Sequence, residues 1–193
     1  MKKNNLWINL RIFFLLVIVT GVVYPLIITV IAQGFFHKKA NGSLVVRDGK
    51  KVGSELFAQS FQSPGYFWPR PSFTNYTTLP AGGSNLSWTS ETLKTTVIER
   101  EKKWEDLEGP IPSDLLFASG SGLDPHISLD AAYFQVKRVA TFRSQNERDL
   151  IKLIQSIMEK RSLGFLGQPR INVFVLNQAL DDFIEGKQNV QRR

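Results

Sequence analysis

Residues 12–36 read Ile-Phe-Phe-Leu-Leu-Val-Ile-Val-Thr-Gly-Val-Val-Tyr-Pro-Leu-Ile-Ile-Thr-Val-Ile-Ala-Gln-Gly-Phe-Phe, an unbroken run between Arg11 and His37 without one charged side chain. As a helix at ~1.5 Å per residue it reaches roughly 37 Å, more than the ~30 Å of a bilayer's hydrocarbon core. The run therefore predicts a membrane-spanning helix over Ile12 to Phe36. A buried soluble helix is disfavoured because Leu15, Leu16, Val17, Ile18 and Val19 leave no polar face for water. A cleaved secretory signal fits poorly as well. Its apolar region is about 7–15 residues long and ends in a small-residue pattern that Val30-Ile31-Ala32-Gln33 does not supply. Gly21 and Pro25 are tolerated in a spanning helix, and Thr20, Thr29 and Gln33 are the polar residues at membrane depth, where such residues often mark helix contacts and otherwise form an ordinary weakly polar face.

With one span, about 155 residues remain for a single extramembrane domain. One helix cannot form a transport pathway alone, since ion filters and transporter sites are built between several helices or repeats. The absence of cysteine from 193 residues excludes disulfides, thiolate metal sites and a cysteine nucleophile. The 24 Lys and Arg against 17 Asp and Glu give +7, but the excess is spread along the chain, which argues against nucleic acid as a partner. Lys2, Lys3 and Arg11 precede the span while Lys38, Lys39, Arg47, Lys50 and Lys51 follow it. Charge counting therefore does not decide the side.

Beyond the span, 37–52 reads as a polar connector with a short strand at Ser43 to Arg47 and a hairpin turn at Asp48-Gly49. Aromatics then crowd the stretch from Gly53 to Pro80, at Phe57, Phe61, Tyr66, Phe67, Trp68, Phe73 and Tyr76. Pro64, Pro69 and Pro71 rule out long regular elements there, and with only Arg70 alongside, the rings suit core packing better than base stacking. Helices are expected at about Ser90 to Leu107, at Leu129 to Phe142 capped by Ser128, and at Glu147 to Arg161 capped by Asn146. Ile171-Asn172-Val173-Phe174-Val175-Leu176 reads as a buried strand, followed by a short helix to Ile184 and a disordered tail at 186–193. The mixed order predicts an α+β domain over 53–185.

Ser119-Gly120-Ser121-Gly122-Leu123-Asp124-Pro125-His126 is the segment richest in chemistry. It gathers two hydroxyls, a carboxylate and an imidazole, which makes a membrane-tethered hydrolase using Ser121 and His126 the alternative reading. Against it, Gly-x-Ser-x-Gly is not matched, and triads draw their members from distant parts of a chain. Asp124, His126 and Asp130 could contribute to a metal site, yet a site needs three or four convergent ligands and the only other histidine is His37. A tight loop that bonds its own backbone explains the same residues. The P-loop pattern is absent.

Several stretches carry a family resemblance. They are Thr20 to Leu26, Tyr66-Phe67-Trp68-Pro69-Arg70-Pro71-Ser72, Gly82-Gly83-Ser84-Asn85-Leu86, Asp114 to Ser128, Gln135-Val136-Lys137-Arg138-Val139-Ala140 and Leu163 to Val173. In this order they resemble the C subunit of the Kdp-type potassium-transporting ATPase, with departures at Ser87, Trp88, Ser90, Leu129 and Lys137. The resemblance implies an accessory, non-catalytic subunit of the cell membrane with a short cytoplasmic N-terminus at 1–11 and an extracytoplasmic domain. The partners it implies are a channel-like potassium-translocating subunit, a P-type ATPase subunit, a small single-span subunit and membrane lipid. It further implies a catalytic chaperone that raises the ATP affinity of the ATPase subunit, so that ATP is engaged through that partner and no cofactor or metal is bound directly. The phosphorylated Asp-Lys-Thr-Gly motif of P-type pumps is absent. Residues expected to contact partners are Gly21, Tyr24, Pro25 and Gln33 in the span and Trp68, Arg70, Asn85, Ser119, Ser121, Asp124 and His126 in the domain.

Overall fold

The computed structural model describes residues 3–47 and 49–191. The chain divides into two compact units, one up to Leu44 and one from Val45 onward.

In the first unit, α1 (Lys3–Ile18), a π-helical turn (Val19–Val23) and α2 (Tyr24–Phe35) form one apolar rod. It is long and apolar enough to cross a membrane from Asn5 to Phe35. The helix begins well before the expected Ile12, because nothing between Lys3 and Arg11 interrupts helical backbone. The π turn answers Pro25. A proline inside a helix donates no hydrogen bond and presses on the carbonyl four residues back, here Gly21. The backbone widens instead, and Tyr24 N–H donates to the Val19 carbonyl five residues earlier. The hydroxyls of Thr20 and Thr29 donate to Leu16 and Pro25 carbonyls at 2.7 Å each, so both are satisfied within the rod. A short α3 (His37–Ala40) follows.

Strands β1 (Leu44–Arg47) and β2 (Lys50–Ser54) pair as the expected hairpin, with Gly49 at φ 74° in its turn. The expected turn residue Asp48 lies outside the described residues. From Glu55 to Ser90 the chain forms only turns and bends until α4 (Glu91–Glu101), capped by Ser90 and continued by a 3-10 turn to Trp104. After α5 (Ser113–Leu116), β3 (His126–Ser128) leads into α6 (Leu129–Phe134) and α7 (Val136–Arg143). Then come α8 (Glu147–Ile157), β4 (Arg170–Asn172) and α9 (Val173–Gln191). Strands β3 and β4 pair antiparallel, Ile127 opposite Ile171. The core gathers Phe67, Leu115, Ile127, Val139, Leu150, Ile154, Ile171, Leu176 and Leu180 between this strand pair and helices α6 to α9. This is the α+β class expected.

Three elements depart from expectation. The run read as a strand over Ile171 to Leu176 is extended only to Asn172, because the Asn172 carboxamide oxygen accepts from Phe174 N–H at 3.1 Å and Val175 N–H at 3.2 Å. It caps a helix whose buried face holds Val173, Leu176 and Leu180. That helix is 19 residues long rather than short, and it continues through Gln191 into the segment expected as tail. Residues 192 and 193 lie outside those described. The single helix expected over Leu129 to Phe142 is interrupted at Gln135, whose backbone N–H turns to the Ala132 carbonyl while its side chain enters the core. Finally, α8 stops at Ile157 instead of Arg161, since Glu159 leaves the helix to exchange backbone hydrogen bonds with Arg170.

Candidate functional site

Side chains replace a sheet partner along the aromatic segment. Phe67 is fully buried, and its backbone N–H and carbonyl both bond the Asn177 carboxamide at 2.9 Å. The next residue is held the same way, with Trp68 N–H donating to Gln135 Oε1 at 2.7 Å and Gln135 Nε2 donating back to the Trp68 carbonyl at 3.1 Å. Asn177 on α9 and Gln135 at the α6–α7 junction thus each grip one residue, which satisfies backbone groups that no ladder reaches. Arg138 donates to the Pro64 and Tyr66 carbonyls and lies 4.0 Å over the Trp68 ring, and Arg143 donates to the Gly65 carbonyl and to Asp181. Burial pushes the Arg138 guanidinium down to about 10. Of the seven aromatics, Phe67 is buried and Phe61, Tyr66 and Trp68 pack on the core, whereas Phe57 and Phe73 stay exposed.

The two glycine-rich loops meet backbone to backbone. A Cβ on Gly83 would stand 3.1 Å from the Gly120 carbonyl oxygen, and one on Gly122 would stand 2.8 Å from the Gly82 oxygen, with Gly122 already at φ +69°. Asn85, nearby, holds φ 52°. Buried Ser119 donates its N–H to the Pro71 carbonyl, and Ser121 Oγ accepts from Leu123 N–H at 3.1 Å.

Beyond this junction a chain of alternating charges lines a cavity of about 380 Å³. Arg70 lies 3.6 Å from Asp124, Asp124 lies 3.4 Å from His126 Nδ1, and His126 Nε2 lies 3.3 Å from Glu159. Glu159 closes the row on Arg170 at 2.8 Å. The His126 side-chain hydrogen bond is the main reason the Asp124 carboxyl is held below its usual range, with burial opposing and Arg70 assisting. At Glu159 burial would raise the value, but the Arg170 hydrogen bond and the neighbouring His126 and Arg170 charges bring it down.

This geometry removes the basis for the hydrolase reading. Both His126 ring nitrogens face carboxylates, while the Ser121 hydroxyl serves its own loop and lines a different cavity. A nucleophile needs its base within hydrogen-bond reach. Among the described residues no three His, Asp or Glu side chains converge as metal ligands. Of the residues expected to touch partners, Arg70, Asp124 and His126 come together in the charged row, Ser119 and Ser121 belong to the glycine junction, and Trp68 is clamped by Gln135. Gln33 exchanges hydrogen bonds with Asn41 just past the end of its helix, at 3.1 and 3.4 Å. Asn177, Arg143 and Glu159 were not singled out in the sequence; they lie in ordinary amphipathic or connecting segments and acquire their partners only across the fold.

Among the described residues, one apolar rod long enough to cross a membrane precedes an α+β domain, the architecture of a protein with one candidate membrane span. Its sequence matches the model of the family "K+-transporting ATPase, c chain" over residues 6–182. The chain is 46% identical over 181 residues to the potassium-transporting ATPase KdpC subunit of Leptospira interrogans, covering 92% of this chain and 94% of that protein. It is 49% identical over 170 residues to the KdpC subunit of Geobacter sulfurreducens, covering 85% and 90%. The chain belongs to the KdpC family of potassium-transporting ATPase subunits.

Proposed function

We propose that this chain is the non-catalytic accessory subunit of an ATP-driven potassium uptake complex, with its N-terminus in the cytoplasm and its domain outside. The observation that carries the reading is that family similarity runs through both span and domain, from residue 6 to 182. Its partners are a channel-like potassium-translocating subunit, a P-type ATPase subunit and a small single-span subunit. ATP is bound by the ATPase subunit, and this chain raises the affinity of that site.

An outside domain cannot touch cytoplasmic ATP, so the effect is a coupling free energy passed through packed helices. Such couplings are typically 1–3 kcal/mol, or about 5–150-fold in affinity. Gly21 is the natural contact. A Cβ there would have open space within its own chain, and the glycine lies inside the π turn, where a second helix can approach the backbone closely. Gly21→Leu is expected to lower co-purification of the partner subunits, or to raise the KM for ATP of the complex about fivefold or more. Unchanged co-purification, KM and transport would remove the span from the mechanism.

A further inference from the structure

Between α8 and β4 the chain doubles back as a narrow finger. Glu159 and Arg170 exchange backbone hydrogen bonds at 3.0 and 3.2 Å, and Ser162 and Leu166 exchange a second pair at 2.9 Å each. Gly164 N–H donates to the Arg161 carbonyl, and the Arg161 guanidinium donates to Gln168 at 3.0 Å. On this braced stem Leu163, Phe165 and Leu166 are 82%, 71% and 54% exposed. Leu163 even occupies the left-handed region, at φ 54°. A rigid turn that presents three large apolar side chains to water is a contact surface in search of an apolar phase.

Its flanks indicate which phase. Residues 159–170 carry Lys160, Arg161 and Arg170 against the single acid Glu159, which is already engaged by Arg170 and His126. Apolar side chains ahead of long cationic ones match the boundary where acyl chains lie beneath anionic headgroups. The cross-hairpin hydrogen bonds satisfy the N–H and carbonyl groups of Ser162 and Leu166 at the base of the turn, as backbone beside hydrocarbon requires. The domain is tethered to the apolar rod by nine residues, 36–44.

We propose that Leu163, Phe165 and Leu166 form an insertion finger that enters the headgroup boundary of the membrane carrying the chain, with Lys160 and Arg161 pairing to anionic phospholipid. This requires membrane anchorage only, and is independent of any effect on ATP. The chain has no cysteine, so Phe165→Cys in the full-length protein takes one environment-sensitive fluorophore without background. Leu79→Cys, at an exposed position in another loop, serves as control. In nanodiscs of mixed phosphatidylglycerol and phosphatidylcholine, the label at 165 is expected to shift to the blue and to be quenched by brominated acyl chains. The label at 79 is expected to do neither. Adding Lys160→Glu and Arg161→Glu should cut the quenching at least twofold. Emission at 165 equal to that in water overturns the proposal. So does a blue shift that appears only on adding the partner subunits and is untouched by brominated lipid, which would assign the finger to a protein surface.

Discussion

Replacing Asn177 by Ala tests whether side chains hold the aromatic segment. Asn177 is 2% exposed and makes two hydrogen bonds of 2.9 Å to Phe67, itself fully buried. Truncation leaves one buried N–H and one buried carbonyl without partners, each costing about 1–3 kcal/mol, so the expected loss is roughly 2–4 kcal/mol once some relaxation occurs. For a domain of this size that lowers the melting temperature by roughly 4–16 °C. The assay is chemical denaturation of the full chain in detergent, followed by tryptophan fluorescence because Trp68 sits beside the released residue. Gln135→Ala, which frees the adjacent Trp68 backbone, should cost a similar amount. The double variant should lose clearly less than the sum, because both grips act on one segment. A loss under about 1 kcal/mol for Asn177→Ala, or strict additivity of the pair, would refute the clamp.

Two further outcomes follow from the same structure. Gly122→Ala forces a Cβ within 2.8 Å of the Gly82 oxygen at a φ of +69° and should cost more than about 2 kcal/mol, while Gly120→Ala, with open space and no positive φ, should stay within about 0.5 kcal/mol. Both are read by denaturant midpoint. The Asp124 and Glu159 carboxyls are held below their ordinary values of 3.8 and 4.5, so their contribution is fully present above those values and is lost as pH falls through the depressed ones. Melting temperature should therefore drop below about pH 4, and Asp124→Asn with Glu159→Gln should flatten that drop.

Legibility differed by element for physical reasons. The caps Ser128 and Asn146 were readable because a cap and the N–H groups it serves are two or three residues apart. The run at Ile171 misled because Val173, Phe174 and Val175 have strand-like side chains, whereas the burial of Leu176 and Leu180 on one face favours the helix. Gln135 looked like any helical position, and only its distant partner, Trp68, explains the break between α6 and α7. The glycines at Gly120 and Gly122 read as part of a tight loop, but their contact with Gly82-Gly83 is set only by the fold.

The chain's order of residues by itself determined an apolar helix long enough to cross a membrane, the α+β class, the capped starts of α4, α6 and α8, and the family, since each rests on composition or on spacing of a few residues. Tertiary structure alone decided that Asn177 and Gln135 hold Phe67 and Trp68, that His126 lies between two carboxylates rather than beside Ser121, and that Leu163 to Leu166 project from a braced stem. The Asn177 and Gln135 clamps and the His126–Glu159 pair join residues tens of positions apart. They exist only after chain packing has met the cost of bringing distant segments together, a term no local pattern records.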